Sequence, residues 1–400
     1  MSRAASPMRG GYLVTNPFLY GVLRSTDWLL ERVISKPQNV TAAPSRVLIG
    51  VGGHRGDAVM ATAAIAAVRR LLPAAELGVI SGSWSASVFR GLQGVQWQHT
   101  MDHWAVTRLA AGTFGRATRH ARSVRTALRD LRSVGYDYAI DLYPFYPNMG
   151  ALFWRAGIPQ RVGFASGGRS AFFTRVHEWA DDRRHVAEKQ AELVEWAFGE
   201  GRGERAEGRQ RPRCQIPEPR REMRESAEAK LGSAQVDGEF IVVHAGGGSR
   251  VKEWPIEKWR TVVASLTGRA TSVVLTGTGD DERRAAERIA AGFPLCANLV
   301  GQLEWEEFVH VLSRAQGVIS VDTVAGHVAG AVGTPAVVLF AGINDLREWH
   351  PLGDKVVSLI NQVSCAPCFQ GQGCATMDCI RGIDPELVLR ELRSMVRLAP

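Results

Sequence analysis

The chain has 400 residues, which is enough for two or more domains, and its apolar content of 45% is ordinary for a globular protein. No apolar run is long enough to span a bilayer, and the N-terminus lacks the apolar core of a signal peptide. Six cysteines in a chain of this length do not indicate a secreted disulfide scaffold, so we expect a cytoplasmic protein.

The positive charge lies in the first half of the chain. Residues 1–200 carry 24 Lys+Arg and 15 Asp+Glu, whereas residues 201–400 carry 24 and 25. An excess of this kind is typical of a protein that meets an anionic substrate or membrane surface, although an arginine-rich helix can also be a solvated face. Nucleic acid would fit the charge, but no nucleic-acid-binding motif is present in this half. The arginines recur at helical spacing at Arg108, Arg116, Arg119, Arg122, Arg125, Arg129 and Arg132.

Residues 1–44 form an N-terminal extension with an amphipathic segment from Asn16 to Lys36. This segment predicts a helix that either docks on the protein's own surface or lies in a membrane interface. One apolar stripe of the helix consists of Phe18, Val22, Leu29 and Val33, and a second stripe beside it consists of Leu19, Leu23, Leu30 and Ile34.

Two series of alternating strands and helices follow. Residues 45–200 and 223–400 each alternate short apolar runs with helical patterns, which indicates two βα domains. Residues 201–222 are rich in Gly, Pro and Arg and lack an apolar period, so we interpret them as the interdomain linker. The predicted strands are Val47–Val51, Leu77–Ile80, Tyr138–Leu142, Phe240–His244, Ser272–Leu275, Gly317–Val321 and Ala336–Phe340.

A glycine-rich turn follows the first of these strands. Gly52, Gly53 and Gly56 allow close backbone approach, and Asp57 falls at the start of the next helix. The turn is neither a P-loop nor a strict dinucleotide fingerprint. By itself Asp57 is equally well interpreted as a helix cap.

A second turn lies between residues 317 and 340. Asp322 and Thr323 stand where a strand feeds a helix, and the free N–H groups and helix dipole there favour an anion. The following helix carries His327 and small residues between 325 and 330, which would let a ligand approach closely. The alternative is a capped helix with a core histidine.

Taken in order, these segments resemble the ADP-heptose:lipopolysaccharide heptosyltransferases of glycosyltransferase family nine. The resemblance covers roughly residues 45–397 and implies a GT-B fold, in which two Rossmann-like α/β domains face a cleft. It departs at Val324, where the family usually has glycine after the Asp-Thr pair. The matching segments are residues 53–59, 244–259, 275–282, 320–340 and 349–353, with a C-terminal cysteine cluster.

The resemblance also implies an inverting transfer of heptose from ADP-heptose to an anionic lipopolysaccharide inner-core acceptor. Asp57 would be the catalytic base and Lys252 a phosphate-binding lysine, and no cofactor would be required. The acceptor-side loop would be Gly53, His54, Arg55 and Gly56, and the donor site Gly277, Gly279, Asp280, Glu282, Asp322, Thr323, Val324 and His327.

A cysteine-rich loop occupies residues 365–379. Its C-x2-C-x5-C-x4-C spacing predicts a structural zinc or iron site, and reduced, unliganded loop cysteines are the alternative. A metal here would favour a second function, protein O-heptosyl transfer, and a third, nucleic-acid binding, would need the basic half as well. The cysteines are Cys365, Cys368, Cys374 and Cys379.

Overall fold

Two parallel six-stranded sheets form the framework of the protein in its computed structural model, which describes residues 8–14, 16–34, 43–104, 112–199 and 211–397. The chain divides into two compact units between Pro212 and Arg213. Arg108, the linker from 201 to 210 and the end of the amphipathic segment from residue 35 lie outside the described residues.

The N-terminal unit begins with an antiparallel hairpin, β1 and β2, and a 17-residue helix, α1. Its sheet has the order β5-β4-β3-β6-β7-β8. The elements are β1 Met8–Arg9, β2 Tyr12–Leu13, α1 Pro17–Val33, β3 Arg46–Val51, α2 Arg55–Leu71, β4 Glu76–Ser81, β5 Val95–Thr100, α3 Thr113–Val134, β6 Tyr138–Asp141, α4 Gly150–Ala156, β7 Gln160–Phe164, β8 Arg175–His177 and α5 Val186–Phe198.

The C-terminal unit repeats this arrangement, with the sheet order β11-β10-β9-β12-β13-β14. The predicted strands at 240–244, 272–275 and 317–321 occur with these bounds. The elements are α6 Arg221–Ser233, β9 Phe240–His244, α7 Ile256–Thr267, β10 Ser272–Leu275, α8 Asp280–Ala290, β11 Cys296–Asn298, α9 Trp305–Arg314, β12 Gly317–Val321, α10 Val324–Val332, β13 Ala336–Leu339, α11 Leu346–Trp349, β14 Val356–Leu359, α12 Asp378–Arg381 and α13 Pro385–Met395.

Each sheet therefore has the doubly wound 3-2-1-4-5-6 strand order of Rossmann-like domains, and the predicted α/β class is confirmed. The strand order reverses between β3 and β6 in one unit and between β9 and β12 in the other. Ligands of such sheets bind outside the carboxyl ends of the strands at this switch point. The central strands are buried, since helices cover both faces.

The two apolar stripes of helix α1 differ in their exposure to solvent. Leu23 is buried and lies against the backbone of Gly168, whereas Phe18 and Val33 are 79% and 72% exposed. Asp27, on the same side as Leu23, is also buried. No helix in the described ranges is long and apolar enough to cross a membrane.

The small residues of α10 do not serve the purpose that we predicted. Ala325 and Ala329 are fully buried, and Gly330 lies against the main chain of Leu352. Gly326 similarly faces Pro351. The close approach that these residues permit is thus made by the protein's own 351–353 segment and not by a ligand.

Gly330→Ala should destabilise the C-terminal unit, because the added Cβ would overlap the carbonyl oxygen of Leu352. Overpacking of this kind costs about 1–3 kcal/mol and lowers the Tm by several degrees. Gly232→Ala is the matched control, since Gly232 is also helical but has no neighbouring atom within 4 Å of the added Cβ. Calorimetry should show a lower Tm for Gly330→Ala only; an equal response of the two variants would contradict this packing.

Candidate active site

An ion pair joins the two central loops of the C-terminal unit. Lys252 follows β9 in a short 3-10 turn, and Asp322 follows β12, its neighbour in the sheet. The Lys252 ammonium lies 2.7 Å from Asp322 Oδ2 and donates to the main-chain oxygen of Asp322 at 3.0 Å. Both side chains are largely buried. The structure therefore brings these two predicted residues together at the topological switch point.

Helix α10 starts directly beside this ion pair. Thr323 is its N-cap, and the Thr323 hydroxyl oxygen accepts a hydrogen bond from the Ala325 N–H at 3.3 Å. Val324 is the first helical residue and is partly exposed. The other N–H groups of this first turn lack intrahelical acceptors, so the helix end retains its preference for negative charge.

His327 lies behind the ion pair and is buried. Burial, together with the nearby charges of Lys252 and His350, lowers the pKa of His327 to about 4, against the opposing effect of Asp322. The imidazole is therefore neutral at pH 7. Its Nδ1 atom has no hydrogen-bond partner among the described residues.

Glu282 holds two glycine loops of this unit together. Its Oε2 accepts from the Thr278 N–H at 2.7 Å and its Oε1 from the Gly248 N–H at 3.3 Å. The backbone at Gly277 passes so close to this carboxylate that a Cβ there would lie 2.6 Å from Oε2. Glu282 thus ties the loop after β10 to the loop after β9, and its predicted contact with a ribose stays a prediction.

Two further predicted donor residues lie at the surface of the same unit. Asp280 begins α8, is 76% exposed and pairs with Arg283 at 3.3 Å. Gly279 is the N-cap of that helix and has a φ of 84°, which a side chain would strain. Nothing lies within 4 Å of a Cβ built there, so this turn is open.

In the N-terminal unit, Asp57 is held by the backbone of the glycine-rich turn. Arg55, Gly56 and Asp57 form the first turn of α2, and Asp57 Oδ2 accepts from the His54 N–H at 2.7 Å. The N-cap of α2 is therefore His54, and Asp57 is the third helical residue, whose carboxylate caps the His54 N–H. Gly53 cannot carry a side chain here, because its Cβ would overlap the Asp57 carboxylate.

Trp84 fixes the turn from the neighbouring loop. Its indole N–H donates to the Gly53 carbonyl at 3.1 Å, and its own carbonyl accepts from Arg55 Nε at 2.7 Å. The loop after β4 therefore sets the conformation of the loop after β3. Sequence reasoning missed Trp84, although its place in a Ser-Gly-Ser-Trp run after a strand was the available signal.

Asp141 and Tyr143 lie beneath the same turn at the end of β6. Asp141 is fully buried opposite Gly50 and accepts from the N–H groups of Met149 at 2.5 Å and Tyr143 at 3.1 Å. Burial raises the pKa of Asp141 to about 7 in spite of these bonds. Burial and the charges of Asp57 and Asp141 also raise the pKa of Tyr143. Sequence reasoning missed both residues.

The four C-terminal cysteines occupy different environments. Cys365 and Cys374 are exposed, Cys368 is partly buried, and Cys379 is packed in the core. A hydrogen bond from the Met377 N–H lowers the pKa of Cys374. No three Cys, His, Asp or Glu side chains of the described ranges are grouped so that they could hold a metal ion. The arrangement of these thiols does not fit the predicted metal site, which stays unconfirmed.

Comparison with known proteins identifies the family. Residues 124–377 match the model of glycosyltransferase family 9 (heptosyltransferase), so the chain belongs to this family of glycosyltransferases. Lipopolysaccharide heptosyltransferase 1 of Pseudomonas aeruginosa is 30% identical over 141 residues, which are 35% of this chain and 39% of that protein. The match to this curated relative thus spans about two fifths of its length.

Solved structures confirm the fold. Escherichia coli ADP-heptose lipopolysaccharide heptosyltransferase II is 19% identical, with a TM-score of 0.69 over 88% of this chain and 98% of that chain. An E. coli heptosyltransferase solved with ADP is also 19% identical, with a TM-score of 0.65 over 88% of this chain and 100% of that chain. The predicted heptosyltransferase-like GT-B class is therefore correct.

Proposed function

We propose that the protein is an inverting glycosyltransferase that moves a heptose from ADP-heptose to an anionic inner-core acceptor of lipopolysaccharide. The Lys252–Asp322 ion pair at the start of α10 carries this proposal, because it joins a cation and a helix N-terminus at one switch point. In a chain of this family, that combination suits the diphosphate of a nucleotide sugar.

The donor site would work by stabilising the departing ADP. The Lys252 ammonium has three N–H donors. It donates one to the main-chain oxygen of Asp322 and forms an ion pair with the Asp322 carboxylate, which leaves donor capacity for a phosphate oxygen. The N–H groups at the start of α10 would share the negative charge as the bond between the anomeric carbon and the phosphate oxygen breaks. His327, being neutral and buried, would add no charge repulsion to Lys252.

Asp57 would act as the base. Its Oδ2 is held by the His54 N–H, and this fixes the carboxylate in place. This carboxylate would remove the proton of the acceptor hydroxyl, whose oxygen then attacks the anomeric carbon from the side opposite to ADP. Trp84 would contribute indirectly by fixing the Gly53 carbonyl and hence the turn.

The names of similar proteins support the donor and acceptor classes. A fold neighbour was solved with ADP, and another with an ADP-2-deoxy-2-fluoro heptose. Several relatives are lipopolysaccharide heptosyltransferases. The alternative of a metal-containing protein O-heptosyltransferase has less support, because no three Cys, His, Asp or Glu side chains of the described ranges are grouped as metal ligands.

We further propose that the protein acts at the cytoplasmic face of the inner membrane, with α1 lying on the lipid surface. The outer stripe of α1 is apolar and exposed, and Arg32 is stacked on the exposed Trp28 at 3.4 Å. Apolar side chains flanked by arginine are typical of helices in the interface of an anionic bilayer. The exposed stripe consists of Phe18, Val22, Leu29 and Val33.

The protein should therefore sediment with phosphatidylglycerol vesicles and less with phosphatidylcholine vesicles. Phe18→Ser/Val33→Ser should reduce this binding roughly tenfold, because two apolar side chains are lost from the interface. Leu295→Ser is the control, since Leu295 is an exposed apolar residue of the C-terminal unit. Undiminished binding of the double variant would contradict the assignment of α1 to the lipid surface.

Asp57→Asn should lower turnover of ADP-heptose on a lipopolysaccharide acceptor by roughly a hundredfold or more, since it removes the base. Asparagine keeps the size and the capping ability of aspartate, so the fold and ADP binding should persist. The turnover rate is measured as the release of ADP from ADP-heptose, and ADP-glucose is assayed as a second donor for comparison. Asp57→Ala should be as inactive as Asp57→Asn. Normal turnover of Asp57→Asn would refute the mechanism.

A further inference from the structure

A second group of cationic and aromatic side chains gathers at the carboxyl end of the N-terminal sheet. His103 follows β5, Tyr146 follows β6 and Arg169 follows β7, while His120 comes from α3. The His103 ring centroid lies 4.8 Å from that of His120 and 6.2 Å from that of Tyr146. The Arg169 guanidinium carbon lies 5.1 Å from the centre of the Tyr146 ring. We call these four residues the His–Arg cluster.

Arg169 is the permanent charge of the cluster. Its guanidinium is 3.4 Å from the Tyr146 hydroxyl and forms no ion pair with a carboxylate in the described part of the chain. Burial, with the charges of His120 and Arg169, lowers the pKa of His103 to about 4. At pH 7 His103 is therefore a neutral hydrogen-bonding ring. It lies beside a guanidinium that forms no ion pair among the described residues, although the buried Asp27 carboxylate is close enough to interact with the charge of Arg169.

The acidic groups around the cluster are already engaged. Asp102 is buried, accepts from the Ser83 N–H and hydroxyl at 2.8 and 3.0 Å, and lies 3.7 Å from Arg119. Its main-chain oxygen is 2.9 Å from His120 Nδ1. Asp102 thus orients His120 and does not neutralise Arg169.

Arg169 has an unfavourable backbone conformation. Its φ is 58°, in the left-handed region where glycine or asparagine is expected. The buried carboxylate of Asp27 in α1 stabilises this conformation, because Asp27 Oδ1 accepts from the Arg169 N–H at 2.5 Å. The Tyr12 hydroxyl donates to the other oxygen of Asp27 at 2.8 Å. The N-terminal extension therefore holds Arg169 in position.

We propose that the His–Arg cluster binds an acidic group, carboxylate or phosphate, of the acceptor saccharide, and that Asp27 is the positioning residue for Arg169. Arginine forms paired, charge-assisted hydrogen bonds with such groups, and the aromatic rings can pack against the sugar. The cluster lies at the carboxyl end of the N-terminal sheet, as Asp57 does. The proposal rests on the proposed glycosyl transfer and names the site on which the acceptor is held.

Arg169→Gln should raise the KM for the acceptor roughly tenfold or more, because a charge-assisted contact is lost. The KM for ADP-heptose and the kcat should change less than about twofold. Arg129→Gln is the matched control: it removes the same charge from an arginine that is 74% exposed on α3. An equal rise in both variants would show a general charge effect and overturn the proposal.

Asp27→Ala should raise the acceptor KM in the same way, and Asp27→Ala/Arg169→Gln should be no worse than Arg169→Gln alone. Additive losses would contradict the positioning role. Circular dichroism and the Tm of each variant distinguish a rise in the acceptor KM from misfolding.

A direct measurement of ligand binding tests this site independently of the proposed transfer reaction. By saturation-transfer NMR, the full chain should bind glucuronate or glucose 6-phosphate, and whichever binds identifies the acidic group. Neutral glucose should not bind, and Arg169→Gln should abolish binding. This experiment needs no turnover, so an inactive protein that binds glucuronate would refute only the transfer reaction. If Arg169→Gln binds glucuronate or glucose 6-phosphate as well as the unaltered protein does, the proposed site is refuted.

Discussion

The ion pair between Lys252 and Asp322 is the interaction on which the candidate donor site depends. It joins the loops after β9 and β12, the two strands between which the order of the C-terminal sheet reverses. A lysine that approaches a helix N-terminus would meet the positive end of the dipole. The negative charge of the Asp322 carboxylate offsets this repulsion and holds the Lys252 ammonium beside the first turn of α10.

The N-terminal unit uses the same strand order for a different purpose. The switch point of this unit carries a carboxylate, Asp57, which accepts a hydrogen bond from the His54 main-chain N–H. The Trp84 indole fixes the same turn through the Gly53 carbonyl. Beneath it, Asp141 is buried and burial raises its pKa to about 7, so its charge near Asp57 is lower at neutral pH than that of an ordinary aspartate. In the proposed mechanism, the same fold would provide an anion-binding loop in one unit and the base in the other.

Some of this organisation was predictable from the sequence. The central strands β9, β10 and β12 are continuous apolar runs because both of their faces are buried, and their bounds were predicted correctly. Asp57, Lys252 and Asp322 were identified because a glycine turn or a strand end precedes them in the order typical of the family.

Other features depend on contacts between distant residues and were not predictable. The strands missed in the two large sheets are β5, β7, β8, β11 and β14, which are short or contain polar residues. The burial of Asp27 was not predictable from the pattern of α1, because its partner, the Arg169 N–H, lies 142 positions away in the sequence. The cysteine spacing predicts a metal site that stays unconfirmed, and the packing of Cys379 in the core was not predictable from that spacing.

The affinity for ADP, measured by calorimetry in the absence of acceptor, tests directly whether the Lys252–Asp322 pair forms the donor site. We expect ADP to bind more tightly than UDP or GDP, and Lys252→Ala to weaken ADP binding roughly tenfold to a hundredfold because a charged hydrogen bond to phosphate is lost. Lys355→Ala, which removes an exposed lysine of the same unit, and Asp57→Asn should bind ADP like the unaltered protein. Unchanged ADP affinity in Lys252→Ala would contradict the assignment of the donor site to the Lys252–Asp322 pair.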